Sequence, residues 1–376
     1  MHPLWQARQP VRFDGLLHID QNAVFGNRAS GKLWCTFFAL VAWAAVHERG
    51  VEDLHQYVDD NFGFEFRREL VPYRPYGISY LAKQTHLLEL WDEVGVLHEK
   101  PKQEFGAVLE IIGLEVSLVS MTISMSFQKR GELVAAVRQF VSQDSPQAHP
   151  LGEWLSLLGW MNWGLNAYPL LKPALQPAYD KVRGKSAPHA PVYRNKDVTS
   201  HFLWFANCIE KSSGVHFIEM TEWGAKDADI EIFCDASGQG LGFWSPQGNV
   251  AFMSPLVGDT HTIFFNEALC VISALRWASR LSPRPCKIVI HTDSLNTVQI
   301  FQTLKAERDY NPLLMHAVSV MLDSDVQVRV LFIRGEDNVV ADALSRLLPD
   351  VATSVILFLT VAPFAPPRNE LGVSTE

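Results

Sequence analysis

Residues 229–254 read DIEIFCDASGQGLGFWSPQGNVAFMS. Three short runs rich in β-branched and aromatic residues are separated by glycine-containing turns. That pattern predicts a three-stranded meander. Downstream of residue 254 the segments alternate in type. Residues 264–281, FFNEALCVISALRWASRL, have amphipathic helical spacing. KIVIHTDS (287–294) is a buried strand ending in Asp. SLNTVQIFQTL and NPLLMHAVSVML are helices, VQVRVLFIRG is a strand, and DNVVADALSRLL is a last helix. A meander succeeded by alternating helices and strands predicts a mixed sheet with helices packed on it.

Four acids occupy particular places in that order. Asp235 lies in the first strand, Glu267 in the first turns of the next helix, Asp293 at the end of the next strand, and Asp342 in the last helix. Carboxyl ends of neighbouring strands and a facing helix can bring such groups to one point. Four carboxylates there would repel, each raising its neighbour's pKa. Mg²⁺ relieves this because it prefers hard oxygen ligands. Two such ions, about 4 Å apart, activate a water and stabilise a leaving oxygen in phosphodiester hydrolysis. Each acid alone has an ordinary alternative: a turn residue for Asp235, a surface helix acid for Glu267 or Asp342, an N-cap for Asp293. Their joint order favours the metal reading.

Composition bounds the rest. The 376 residues suffice for two or three domains, and the formal charge of −9 argues against a generic nucleic-acid coat, which would be basic. Five cysteines at long spacings, with no CxxC, predict buried reduced thiols in an intracellular protein, cytoplasmic or nuclear. The first thirty residues lack a signal-peptide core. The apolar run VATSVILFLTVAPFAPP (351–367) is interrupted by Pro and reads as a docking tail, so no membrane partner is expected.

CDASGQGLGFW, NEALCVISAL, HTDSLNTV and DNVVADALSR resemble the four blocks of a retroelement RNase H domain. The resemblance implies that Asp235, Glu267, Asp293 and Asp342 bind two Mg²⁺ ions, with Mn²⁺ as the alternative, and cut RNA in an RNA–DNA hybrid. Relatives of this nuclease fold carry a His in the loop before the last Asp. Here that loop, FIRGEDN, has none, and Arg334 and Glu336 are the candidates to replace it. A proofreading exonuclease would want Asp-x-Glu on the first strand, and an integrase a late Glu where this chain has Asp342.

Upstream segments carry a second resemblance, to a reverse transcriptase. FGNRASG, with Gly26, Arg28 and Ser30, is similar to the segment under the templating base pair. The next run, GKLWCTFFALVAWAAVHERG, reads as a buried helix. DLHQYVDDNFGF (53–64) reads as a strand, an acidic turn and a strand. It is similar to the polymerase hairpin, which makes Asp59 a metal ligand, Asp60 a weaker one, and Tyr57 a nucleic-acid contact. Lys100 or Lys102 would lie near the incoming triphosphate. EIIGLEVSLVSMTISMSF reads as a β-hairpin, and its EIIGLEV resembles the primer grip. LGEWLSLLGWMNWGLNAYPLLKP looks like the thumb, with Trp154, Trp160 and Trp163 either core residues or primer contacts, core being the commoner role of helical aromatics. Between residues 172 and 196, Lys181, Arg183, Lys185, Arg194 and Lys196 with interleaved Tyr179 and Tyr193 read either as a solvated linker or as a phosphate-contacting track.

The implied fold is an α+β and α/β multidomain chain: a partial palm at 1–125, thumb or connection at 126–225, an RNase H-like mixed sheet with helices at 226–348, and a tail at 349–376. The wording is nearest to DIRS-type retrotransposons, whose polyprotein would supply further partners beside the RNA–DNA hybrid or template-primer. The family's remaining polymerase Asp precedes a His-Pro dipeptide, and this chain begins Met1-His2-Pro3. The expectation is an RNase H with little or no DNA synthesis by this chain alone. A non-catalytic nucleic-acid-binding remnant and a fragment of an active polymerase are the alternatives.

Overall fold

The computed structural model describes residues 10–19, 28–66, 69–212, 215–216 and 223–371, so Gly26 lies outside the described residues. The chain divides into two units, Met1–Ser120 and Met121–Glu376.

The first unit is built from small hairpins and two helices. β1 (Pro10–Phe13) pairs with β2 (Leu16–Ile19), α1 is Arg28–Arg49, and β3 (His55–Tyr57) pairs with β4 (Asp60–Phe62). β5 (Leu70–Tyr73) pairs with β6 (Ile78–Leu81), which runs into α2 (Ala82–Val94). Gly95 ends α2 in the left-handed conformation, its N–H returning to Trp91 O. A hairpin of β7 (Val108–Ile111) and β8 (Leu114–Ser117) comes next.

The expectation of a buried α1 is corrected. Phe38, Val41 and Ala45, spaced three and four apart, form its one buried stripe, packed in a cluster with Leu87, Leu88 and Trp91 of α2. Leu33, Trp34, Phe37, Leu40 and Trp43 stay exposed, because among the described residues of this unit only one helix, α2, is set against it. Among the described residues, α1 alone has the length and mean hydropathy (1.4) of a bilayer span, a property shared by core helices of soluble proteins.

The second unit starts with β9 (Thr122–Met125), α3 (Phe127–Val141), β10 (Ala148–Pro150) and α4 (Leu151–Gly164). A 3₁₀ segment (Pro169–Leu175), α5 (Gln176–Val182), β11 (Pro191–Tyr193), α6 (Lys196–Lys211) and β12 (Val215–His216) continue it. Trp154 is fully buried and donates to Val192 O at 3.1 Å, while Trp160 and Trp163 are half-buried. The basic stretch is helix at Gln176–Val182 and strand at Pro191–Tyr193, with an exposed connection between them that carries Arg183 and Lys185.

Arg194, expected among the phosphate contacts, is engaged within the protein. Its two terminal nitrogens donate to the carbonyls of Phe140, Ser142 and Ser145 at 2.6, 2.6 and 3.0 Å, capping the C-terminal end of α3. Arg194→Ala leaves these acceptors without their donor and is expected to cost about 2–3 kcal/mol in urea unfolding. The salt dependence of nucleic-acid binding should stay unchanged, where a lost phosphate contact would flatten it.

The meander forms as the alternation predicts: β13 (Ile230–Ala236), β14 (Gly240–Ser245) and β15 (Val250–Pro255) are antiparallel neighbours. Next come α7 (Ile263–Ala278), β16 (Lys287–Thr292), α8 (Leu295–Thr303), α9 (Asn311–Ser324), β17 (Gln327–Phe332) and α10 (Val339–Ser345). The apolar run near the C-terminus supplies α11 (Pro349–Val355) and β18 (Thr360–Pro363), which pairs parallel to β15. The six-stranded mixed sheet has the order β17–β16–β13–β14–β15–β18. Alternating residues of β13 and β16 (Ile230, Ile232, Cys234, Ile288, Ile290) point into one core with α7 and α9. Val340, Ala343 and Leu344 of α10 pack with Ala251 and Ala352 in a second cluster, against which Trp244 rests.

The helical segment and the sheet belong to one compact unit, Met121–Glu376. Buried Asn311 donates to Pro173 O at 3.2 Å, Lys172 to Thr303 O at 2.7 Å, and Trp204 Nε1 to Ser319 Oγ at 3.2 Å. The cysteine expectation is corrected in part: Cys234 and Cys270 are buried, but Cys35 and Cys286 are exposed.

Candidate active site

β13 and β16 run parallel, with Phe233 opposite His291, so Asp235 and Asp293 emerge at the same end of adjacent strands. α7 brings Glu267 from one side of the sheet and α10 brings Asp342 from the other. Asp235 is buried, and Glu267, Asp293 and Asp342 are half-buried.

Their charges act on one another. Burial is the main cause that pushes the Asp235 carboxyl up to about 6, and the charges of Asp293 and Asp342 push it the same way. Burial and the charge of Asp293 likewise raise Glu267 above the usual carboxylate range. The Ser294 side chain acts on the Glu267 carboxyl in the opposite sense, lowering its pKa. Asp235 and Asp342 are each held by a neighbour. Ser345 Oγ–H donates to Asp235 Oδ2 at 2.5 Å. Arg346 Nε donates to Asp342 Oδ1 at 2.8 Å, an exposed pair one helical turn long. Among the described residues, no three acidic, imidazole or thiol groups close around a single point. The acids thus share an electrostatic neighbourhood without forming a closed cage.

The N-cap alternative for Asp293 does not hold. Ser294 caps α8, accepting from Thr297 N at 3.3 Å, which leaves the Asp293 carboxylate for other work. Gly335 lies close by: a Cβ there would stand 3.2 Å from Asp293 Oδ2.

Residues beyond the four acids make this placement possible. α10 rests directly on β14, because a Cβ on Gly242 would lie 2.5 Å from Leu344 Cβ and 2.6 Å from Ser345 N. Gly240 is as tight, with Ser345 O at 2.9 Å. Buried Asn338 donates to Cys234 O at 2.9 Å, pinning the start of α10 beside Asp235. Ser237 Oγ donates to Ser345 O at 2.7 Å. A hydroxyl or glycine beside an acid in the sequence (DASGQGLG, DSLNT, ADALS) was the available signal for these roles.

A cleft of about 770 Å³ is lined by α5, the first turns of α6, the segment leading into α7 and the segment leading into α9. Four helices begin at its wall: α5 at Gln176, α6 at Asn195, α7 at Thr262 and α9 at Tyr310. Helix N-termini present partial positive charge. Lys181 and Arg308 line the cleft too, though Arg308 pairs with Asp197 at 3.1 Å. His201 Nδ1 and Asn311 Oδ1, both on buried side chains lining the cleft, have no protein partner. Burial lowers the His201 pKa and favours the neutral ring.

The other expected contacts are dispersed. Arg183 pairs with Asp180 at 3.0 Å, and Lys185 and Lys196 are exposed. In the first unit, Asp59 sits in the exposed β3–β4 turn beside Val58, whose φ of 58° is unusual for a β-branched residue. Asp60 and Tyr57 are exposed, Ser30 lies in the first turn of α1, and Arg28 begins that helix. Lys100 donates to Tyr76 O at 3.0 Å, and Lys102 pairs with Glu99 at 3.7 Å.

Residues 235–347 match a family model described as reverse transcriptase-like. No curated protein matches the chain. Several solved structures are similar to part of it. RNase H1 from Halobacterium salinarum NRC-1 is 16% identical (TM-score 0.27) over 32% of this chain and 97% of its own. LC11-RNase H1, solved in complex with an RNA/DNA hybrid, is 19% identical (TM-score 0.28) over 33% of this chain and 99% of its own. An N-terminal RNase H domain from Mycobacterium tuberculosis, fused to maltose-binding protein, is 17% identical (TM-score 0.25) over 34% of this chain and 99% of its own.

Proposed function

We propose that the second unit is a ribonuclease H-type endonuclease that hydrolyses the RNA strand of an RNA–DNA hybrid. The observation that carries this reading is the meeting of Asp235 and Asp293, from adjacent parallel strands, with Glu267 and Asp342 from opposite sides of the sheet. The donor set fits a divalent cation. All four groups offer hard oxygens, and burial together with the charges of Asp293 and Asp342 raises the Asp235 pKa, a shift that a bound cation would oppose. Asp235, Glu267, Asp293 and Asp342 would hold Mg²⁺, or Mn²⁺, in a pair that would supply Lewis acidity and an activated water.

The chain's own residues prepare the site. Ser345 holds the Asp235 carboxylate, and the β14 glycines set how closely α10, which carries Asp342, approaches the sheet. Incubation with an end-labelled RNA–DNA hybrid, duplex DNA and single-stranded RNA tests this. The expected result is Mg²⁺-dependent cutting of the hybrid's RNA alone. Equal cutting of all three, or none of the hybrid, would contradict it.

The first unit reads best as part of a reverse-transcriptase palm within a retroelement polyprotein, with Asp59 and Asp60 as ligands of a polymerase site. The family's further polymerase Asp has no counterpart in the segments that carry the resemblance, Gly26–Ser30 and Asp53–Phe64. Two-metal nucleotidyl transfer depends on shared ligands. Primer extension on an RNA template by this chain alone is therefore expected to be at background, and robust extension would overturn that reading.

A further inference from the structure

The segment after the family match contributes more than a sheet edge. Arg368, beyond β18, reaches the loop that leads into α7. Its NH1 and NH2 donate to Asp259 Oδ1 and Oδ2 at 3.3 and 3.1 Å, and NH2 also donates to Asn266 Oδ1 at 3.0 Å. Asn266 Nδ2 closes the ring by donating to Asp259 Oδ2 at 2.6 Å. Asp259 further accepts from His261 N at 3.1 Å and holds the His261 ring, Nδ1 to Oδ1, at 2.6 Å. The His261 ring stacks on Phe265 with centroids 4.1 Å apart. Glu370 pairs with Arg276, three turns along α7, at 2.6 Å.

The network has a direction. Asn266 is the neighbour of Glu267 on the first turns of α7. His261 and Thr262 line the cleft. Asp259 is nearly buried, with a side-chain exposure of 9%, so the fork it receives from Arg368 is sheltered from water and salt. One guanidinium therefore ties down the loop that forms the cleft wall and the turn that aims Glu267.

Resting on the nuclease reading, we infer that Arg368 is a positioning residue. It uses Asp259 and Asn266 to fix the first turn of α7, and through it the Glu267 carboxylate and the His261–Thr262 wall of the cleft. The C-terminal segment is then a working part of the nuclease and not an appendage.

The test compares full-length wild type, Arg368→Ala, Arg368→Lys and Glu370→Gln by hydrogen exchange and by hybrid cleavage. In Arg368→Ala, amides of residues 262–268 should exchange roughly tenfold faster while those of β16 stay protected, as local opening requires. Cleavage should fall about 10- to 100-fold in kcat/KM, as expected for a misplaced carboxylate. Arg368→Lys keeps the charge but lacks the fork, so it should rescue only part of either readout. Glu370→Gln loosens the same tail without touching Asp259 and should match wild type in both.

Wild-type exchange at 262–268 in both Arg368 variants would overturn the inference. So would an equal loss in Glu370→Gln, which would mark simple tail docking. If Arg368→Ala loses β16 protection as well, Arg368→Lys decides: wild-type behaviour there overturns the inference. A wild type that does not cleave hybrid contradicts the nuclease reading alone, and the exchange experiment still decides the role of Arg368.

Discussion

Asp235→Asn should make the protein more stable above pH 6 while abolishing its cleavage of hybrid. Asp235 titrates at about 6 in the folded chain, above the range of an unfolded carboxylate. The folded state therefore binds this proton more tightly than the unfolded state does. By linkage, its contribution favours folding below about pH 4, is lost as pH rises towards about 6, and stays lost above it. Asn carries no charge to bury or repel, and its Oδ1 can still accept from Ser345. Removing the penalty should stabilise the fold by about 1–3 kcal/mol at pH 8 and by little at pH 4. Urea melts without divalent ions at the two pH values measure this. A variant less stable than wild type at pH 8 would show that the Asp235 carboxylate is not held under strain.

Gly242→Ala should have the opposite effect on stability and the same effect on activity. Its Cβ would lie 2.5 Å from Leu344 Cβ and 2.6 Å from Ser345 N, the latter a backbone atom that cannot swing away. α10 would have to lift, carrying Ser345 off Asp235 and Asp342 off the site. Overpacking of this kind costs about 1–3 kcal/mol, and more where backbone must move. Cleavage should drop by about 10²-fold, as expected when a catalytic group moves by an ångström. Gly238→Ala serves as the control: a Cβ there meets nothing within 4 Å, and both melting and cleavage should match wild type.

The sheet and its acids could be read from the sequence because strong local signals coincide there. Alternation marks β13 to β15, a buried run ending in Asp marks β16, and 3.6-residue spacing marks α7. Partners that depend on tertiary contact could not be read so. Nothing local tells Arg194 from Lys196, yet one is turned inward to carbonyls and the other is exposed. Nothing in VATSVILFLTVAPFAPP shows that Thr360–Pro363 will lie beside β15, since an edge strand's partner is a matter of topology. Arg368 and Asp259 are 109 residues apart, and their meeting depends on the way β18 returns the chain to α7. α1 misleads for a related reason: apolar content predicts burial only where the fold supplies something to pack against.

The nuclease assignment is tested most directly by one measurement: cleavage of an end-labelled RNA–DNA hybrid in Mg²⁺ by wild type and by Asp293→Asn. Asp293 stands beside Asp235 on the neighbouring strand and caps no helix, so its carboxylate can be neutralised with little structural consequence. Wild type should cut the RNA strand and lose that activity on chelation, and Asp293→Asn should be inactive by at least about 10³-fold. Equal cutting by both proteins, or none by wild type, would contradict the nuclease assignment.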